Sequence, residues 1–409
     1  MSEVTADLEE SFERFHARFD GLFGRSEPRR ECRAYVRGLL SRVSRRNCWQ
    51  MAEVTGEPLP DALQRLLYRT QWDAEAAQDL LHQYVAEQFG EPQAVAVVDE
   101  TGFLKCGHRS VGVKRQYTGT AGKITNCQVG VFLGYASHRG HVLVDRRLYL
   151  PEEWCQDDSR RQRAQVPAPV AFRTKPQLAL EMLEQAWARG LPMGWIVADE
   201  VYGNADYFRA GVAAAGHRYV VTVSTGTPLW PQRPPVEPAQ YARTGRLRRQ
   251  ERVGGDAPAT VTAGPMVSGW GPKQWTRLTV AEGEKGPITY DWARRRVVES
   301  RAGLPGDDVW LLARRSLKDP AEVAYYLSNA PRHTPLSTLA QVATSRWSIE
   351  QCFREAKGQA GLDEYEVRLW HSWYRHMTLV MMAYAWLASV RREAHEKKGS
   401  ARSRDGGRA

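Results

Sequence analysis

Two aspartates close apolar runs in this sequence: Asp99 ends the run AVAVVD at residues 94–99, and Asp199 ends GWIVAD at residues 194–199. Runs this apolar must be buried. Each carboxylate is therefore expected at the rim of a rigid sheet, where strand ends in α/β folds present functional groups. Glu100 and Glu200 follow directly, but strand alternation aims neighbours at opposite faces, so one acid of each pair points into a common site, and the aspartates are the choice. A third acid, Glu350, lies in SRWSIEQCFREAK at 345–357. Arg346, Glu350 and Lys357 are spaced i, i+4 and i+11, which on a helix turning 100° per residue puts them within roughly 40° of one another. Alone, an aspartate closing a strand is a turn or cap residue, and R-x3-E is a solvated, ion-paired helix face. Two such strand ends plus a third acid read as ligands.

Three carboxylates without a His or Cys cluster favour a hard cation with oxygen ligands, Mg²⁺, with Mn²⁺ as a substitute. Two such ions about 3.5–4 Å apart activate a water or a 3′-hydroxyl and stabilise the leaving oxygen in an in-line displacement at phosphorus. DNA phosphodiesters are the natural substrate class, with Arg346 and Lys357 as phosphate contacts.

The elements that must position these groups are legible as texture. Residues 1–90 show helical periodicity, as in Leu8, Phe12, Phe15 and Phe19 and again in Leu63, Leu66 and Leu67. Pro28 fits the first turn of a helix running toward Trp49. Asp61 to Tyr84, with a break near Thr70 to Asp73, reads either as a DNA-binding helix-turn-helix or as a small bundle packed on the catalytic domain. From Ala94 the pattern turns to short strands, a helix near Gln177 to Arg189, and further strands at GWIVADE and YVVTVS, which indicates an α/β domain with a mixed sheet over 91–223. Residues 224–301 are rich in Pro, Gly, Arg and Trp, with strands expected at Trp275–Val280 and Arg294–Glu299, and read as an inserted, basic, β-rich subdomain. The α/β texture resumes over 302–392, with a long helix from Ser337 to Gln359 and a second from His371 to Arg392. The polar stretch 393–409 reads as a disordered basic tail.

The 409 residues suffice for two or three domains. Lys and Arg number 57 against 47 Asp and Glu, a net charge of +10 that suits a polyanionic partner without identifying one. The acidic start MSEVTADLEE lacks the basic and apolar parts of a secretion signal. The apolar stretch Met377 to Val390 is shorter than the roughly 20 residues that span a bilayer, so no membrane span is expected. Six cysteines without a CxxC pair fit reduced thiols in a cytoplasm and no structural zinc.

From Ala94 to Lys357 the chain resembles the DDE transposases of the insertion sequence 4 superfamily, and within it the insertion sequence 701 family. The motifs are VVDETGFLKCG, SVGVKRQYTGTAGKITNCQVGVFLGY, DRRLYLPEEW, TKPQLALEML, VADEVYG and RWSIEQCFREAKG. The resemblance implies an RNase H-like catalytic core, a mixed sheet flanked by helices, interrupted by a β-rich insertion between the second and third acids. Carried over, Asp99, Asp199 and Glu350 are similar to the catalytic, metal-holding triad. Arg346, Glu350 and Lys357 fit the superfamily signature Y-x2-R-x3-E-x6-K, whose Tyr position holds Ala343. Trp310 resembles a tryptophan on which a base flipped from the DNA end stacks; as a residue of its own strand it reads equally as core.

On this reading the N-terminal helices and the basic insertion recognise terminal inverted repeats in double-stranded DNA, with Arg246, Arg248, Arg249, Arg294, Arg295 and Arg296 as candidate phosphate contacts. The acids free a 3′-hydroxyl that attacks target DNA, in a homodimer bridging paired ends at the bacterial nucleoid. Two alternatives keep the fold: a catalytically silent DNA-binding regulator, and an RNase H-like nuclease or resolvase that cuts without joining.

Overall fold

The computed structural model describes residues 3–239, 251–283 and 286–405. The chain forms two compact units, residues 1–193 with 347–409, and residues 194–346.

The first unit opens with five helices, α1 (Glu3–Ala17), α2 (Ser26–Leu40), α3 (Cys48–Thr55), α4 (Asp61–Tyr68) and α5 (Ala74–Phe89). Their boundaries follow from local chemistry. Asn47 and Asp73 cap α3 and α5 by accepting the Gln50 and Glu75 backbone N–H groups, and Gly56 ends α3 at a positive φ of 77°. The helix expected to run from Pro28 toward Trp49 stops at Leu40. The break between α4 and α5 falls at 69–73, as expected.

Four antiparallel strands follow: β1 (Val95–Leu104), β2 (Lys114–Thr118), β3 (Lys123–Ser137) and β4 (Gly140–Tyr149). β3 is central, with β1 along one edge and β4 followed by β2 along the other. Leu63, Leu66 and Leu67 of α4 and Leu81, Val85 and Phe89 of α5 are buried, with α4 against α2 and α5 against β4. This packing is that of a bundle lying on the strands. Short helices α6 (Glu152–Cys155) and α7 (Asp158–Arg163) lead to α8 (Lys175–Ala188), which a Thr174/Gln177 capping box starts.

The second unit holds β5 (Trp195–Ala198), α9 (Glu200–Gly203), α10 (Asp206–Ala214), β6 (Arg218–Val223), β7 (Pro228–Trp230), β8 (Val236–Glu237), β9 (Arg252–Val253), β10 (Val261–Thr262) and α11 (Ala263–Ser268). It continues through β11 (Thr276–Gly283), β12 (Gly286–Arg301), β13 (Leu304–Arg315), β14 (Val323–Ser328) and α12 (Leu336–Thr344). β5 and β6 are parallel, joined by the α9–α10 crossover, and β6, β14, β13 and β12 continue antiparallel. The sheet is thus mixed. Among the described residues of 224–301, β12 is not set apart as a subdomain: it hydrogen-bonds to β13 within the same sheet as β6, because its apolar residues Trp292, Ala293, Val297 and Val298 need that sheet to be buried.

The chain then returns to the first unit with α13 (Trp347–Ala360) and α14 (Trp370–Asp405). The single helix expected over 337–359 is therefore two. The hydroxyls of Thr344 and Ser345 bond to the carbonyls of Ala340 and Val342, closing off α12. α14 is buried on all sides from Met377 to Ala385, the core of its unit. Among the described residues no helix is long and apolar enough to cross a membrane. The tail expected to be disordered from residue 393 continues α14 to Asp405, and Arg392 pairs with Glu396 one turn on.

Candidate active site

Asp99 lies within β1, not at its end. The strand runs five residues further because β3 continues to pair with it, Asp99 opposite Phe132 and Leu104 opposite Cys127. Residues directly opposite in an antiparallel pair share a face, so Val97, Asp99, Thr101 and Phe103 line up with Gly134, Phe132, Gly130 and Gln128. α13 lies along this face in a definable register. A Cβ on Gly134 would stand 2.7 Å from Ile349 Cδ1, the Phe353 and Phe132 ring centroids are 5.5 Å apart, and Lys357 Nζ donates to Thr101 Oγ1 at 2.9 Å. Each four-residue step of the helix, about 6 Å, matches a two-residue step of the strands, about 6.6 Å. Glu350 projects within about 20° of Lys357 around the helix axis. It is therefore carried on the β1 side of α13, the side on which Asp99 lies.

Glu100 belongs to the opposite face, where Lys175 of α8 bonds to its carboxylate. Alternation thus separates the two neighbouring acids as the sequence implied. The Asp99 carboxylate is half-buried and accepts the Glu100 backbone N–H at 2.8 Å; Glu350 is exposed. Burial lowers the Lys357 pKa, against an opposing effect of Asp363.

In the second unit Asp199 does end its strand. It is the N-cap of α9, its Oδ1 accepting the Val201 N–H at 2.9 Å. The helix is pressed onto β6: a Cβ on Gly203 would stand 1.8 Å from the Thr222 carbonyl oxygen, so only glycine fits. Arg209 donates to the Gly203 carbonyl, and its Nε reaches Glu299 Oε1 at 3.0 Å. Tyr219 and Arg301 also donate to the fully buried Glu299. This network fixes α9 and hence Asp199. Gly203, Arg209 and Glu299 were not singled out from the sequence; glycine directly after an Asp-led turn was the only available signal.

Arg346 falls in the turn directly before α13, whereas Glu350 and Lys357 lie on the helix itself. Ala343, at the signature Tyr position, is buried in α12. Trp310 of β13 is half-buried; the Arg294 and Arg296 guanidiniums stand 4.1 and 5.1 Å from its ring centroid, and its Nε1 donates to the Pro331 carbonyl at 3.4 Å. Arg295, between them on β12, is exposed and points to the other face, so the arginine triplet is not one surface. Arg246, Arg248 and Arg249 lie outside the described residues. Among the described residues no group of three or more His, Cys, Asp or Glu side chains is gathered as a metal cluster. The donors available at Asp99, Asp199 and Glu350 are carboxylate oxygens, which suit a hard divalent cation.

The first unit thus carries a half-buried aspartate on a β face covered by a glutamate-bearing helix, and the second unit carries a capped strand-end aspartate. A family model described as DDE superfamily endonuclease matches residues 18–287, more than half of the chain, and the chain belongs to that family. The probable transposase for insertion sequence element IS701 of Microchaete diplosiphon is 27% identical over 173 residues, and the matched stretch spans 41% of this chain and 41% of that relative. Among solved structures, the piggyBac transposase synaptic complex with hairpin DNA aligns at a TM-score of 0.43 and 11% identity, covering 91% of this chain and 67% of that one. The NurA nuclease from Sulfolobus solfataricus aligns at 0.28 and 9% identity, covering 69% and 86%.

Proposed function

We propose that this protein is a DNA transposase with an RNase H-like core, which binds the terminal inverted repeats of its element, cleaves the ends and joins the 3′-hydroxyls to target DNA. Membership of the DDE superfamily endonucleases supports the cutting chemistry. The observation that carries the site assignment is the register of α13 on β1 and β3, which puts Glu350 on the side of the helix nearest the Asp99 row. In this reading Asp99, Asp199 and Glu350 hold two Mg²⁺ ions, or Mn²⁺, when DNA is bound. The ions supply Lewis-acid activation of the attacking and leaving oxygens. Lys357, held by Thr101, and Arg346 contact backbone phosphates.

Trp310, with Arg294 and Arg296 against its ring, offers an aromatic face and two cations to an unstacked base and its phosphate, worth about 1–3 kcal/mol per stacked base. Two protomers bridging paired ends, DNA contacts by the N-terminal helices and action at the nucleoid complete the proposal.

The test is incubation of the purified protein with DNA spanning its gene and flanks, in Mg²⁺, beside the Asp99→Ala, Asp199→Ala and Glu350→Ala variants. Cleavage at defined ends followed by joining, lost in all three variants, is the expected result. Cleavage without joining would leave a nuclease. Binding without either would leave a regulator.

A further inference from the structure

We propose that an arginine-lined pocket at the α6–α7 side of the first unit is a second DNA-backbone site, separate from the acids. This inference rests on the DNA-cutting reading above and names a surface that would hold the duplex beyond the scissile phosphate.

The pocket, about 880 Å³, is lined by His108, Arg109, Trp154, Arg160, Arg163 and Arg368, and its one carboxylate is Asp157. That carboxylate is committed to capping α7, accepting the Arg160 backbone N–H at 2.9 Å. Arg109, Arg163 and Arg368 are exposed and take part in no salt bridge among the described residues. Arg160 is pre-placed: its guanidinium lies 3.9 Å from the centroid of the buried Trp154 ring, and Trp154 Nε1 donates to the Val113 carbonyl at 2.8 Å. Three segments distant in sequence are tied together here by backbone hydrogen bonds, Val111 N–H to the Arg368 carbonyl at 3.0 Å and Trp370 N–H to the Ala164 carbonyl at 2.9 Å.

Four guanidiniums around one cavity repel one another unless an anion enters. In another arginine-lined pocket of the same unit the cations are already paired: Arg30 faces Glu57 of the pocket lining, and Arg33 and Arg37 are bridged to Glu13 and Glu9 beside it. The α6–α7 pocket lacks such partners and is far larger than one phosphate. Guanidiniums suit phosphate because their planar donors bind its oxygens in pairs.

The pocket's place along the sheet indicates which phosphates it would take. Gln128 Nε2 holds the Val111 carbonyl at 2.6 Å, and Gln128 is paired with Phe103, four residues along β1 from Asp99. Four strand residues span about 13 Å, so the sheet level to which the pocket is tied is already several phosphates from Asp99, at about 3.4 Å per phosphate on one strand.

The experiment measures binding of a fluorescent duplex of about 30 base pairs by anisotropy without divalent metal, from roughly 50 to 300 mM KCl. The variants are Arg109→Gln/Arg163→Gln/Arg368→Gln, the same three positions changed to Lys, and Arg139→Gln/Arg173→Gln/Lys318→Gln as a control of equal charge at exposed positions outside every DNA-contacting region named above. The pocket variant should lower the slope of log K against log salt by about 0.9 for each phosphate it no longer neutralises, and weaken binding at least about tenfold near 100 mM. The lysine variant and the control should keep the wild-type slope. A wild-type slope in the pocket glutamine variant, or an equal fall in the control, overturns the site. Stabilisation of wild type but not of the glutamine variant by inorganic phosphate, with no change in DNA slope, overturns it in favour of a small-anion pocket. Absence of any salt-dependent DNA binding by wild type defeats the functional reading itself.

Discussion

The Lys357 ammonium donates to the Thr101 hydroxyl, joining the second turn after Glu350 to the residue two beyond Asp99 on β1. Lys357 thereby registers the helix that carries one acid on the strand that carries another. A half-buried ammonium with one hydroxyl partner leaves donors for a phosphate.

Thr101→Val removes that partner while keeping shape. The expected cost is about 1.5–3 kcal/mol in urea unfolding, as for a hydrogen bond to a charged group. Lys357→Met should cost less stability but reduce DNA cleavage at least tenfold at physiological salt. Equal cleavage by Lys357→Met and wild type would remove Lys357 from the proposed site.

Gly134 lets α13 settle on β3. Gly134→Ala places a methyl 2.7 Å from Ile349 Cδ1 and should destabilise by about 1–3 kcal/mol through overpacking. Ile349→Val deletes that Cδ1 and should recover part of the loss in the double variant, a coupling readable from the four unfolding free energies. Strict additivity would mean that the two residues do not meet.

The Asp199 turn depends on a buried ion pair. Arg209→Met leaves Glu299 short of a cation and frees the Gly203 carbonyl; the expected loss is about 3 kcal/mol or more. Gly203→Ala should cost at least as much, since its methyl runs into the Thr222 backbone, which cannot swing aside as a side chain could. If either variant unfolds at the wild-type urea midpoint, this network does not hold α9.

His82 and His376 are almost fully buried, and burial lowers their pKa values from the ordinary 6.5 to about 4 and about 3. In the folded state both stay neutral where the unfolded chain already binds protons. Their contribution is therefore complete above about pH 6.5 and is lost as pH falls toward the folded values. Between pH 6.5 and 5 each should remove about 2 kcal/mol of stability. His82→Asn should flatten its share of that slope in unfolding titrations, and an unaltered slope would refute the assignment.

The local units of this protein are written in its residue order. Apolar runs marked β1, β3, β5 and β6, and alternation was enough to separate Asp99 from Glu100, because side-chain direction in a strand is a local property. The caps that Asp73 and Thr174 make are equally local, each side chain bonding a backbone N–H two or three residues on. Where pairing stops is a matter of the folded whole. β1 runs past Asp99 because β3 is there to receive it, and β12 joins the sheet of β6 because its apolar face has no other place to be buried. The assembled fold also set the register of Ile349, Phe353 and Lys357 against β1 and β3, the break that puts Arg346 outside α13, and the gathering of Arg109, Arg163 and Arg368 from three distant segments. Those relations depend on contacts between residues far apart in the chain, which spacing within any one segment does not encode.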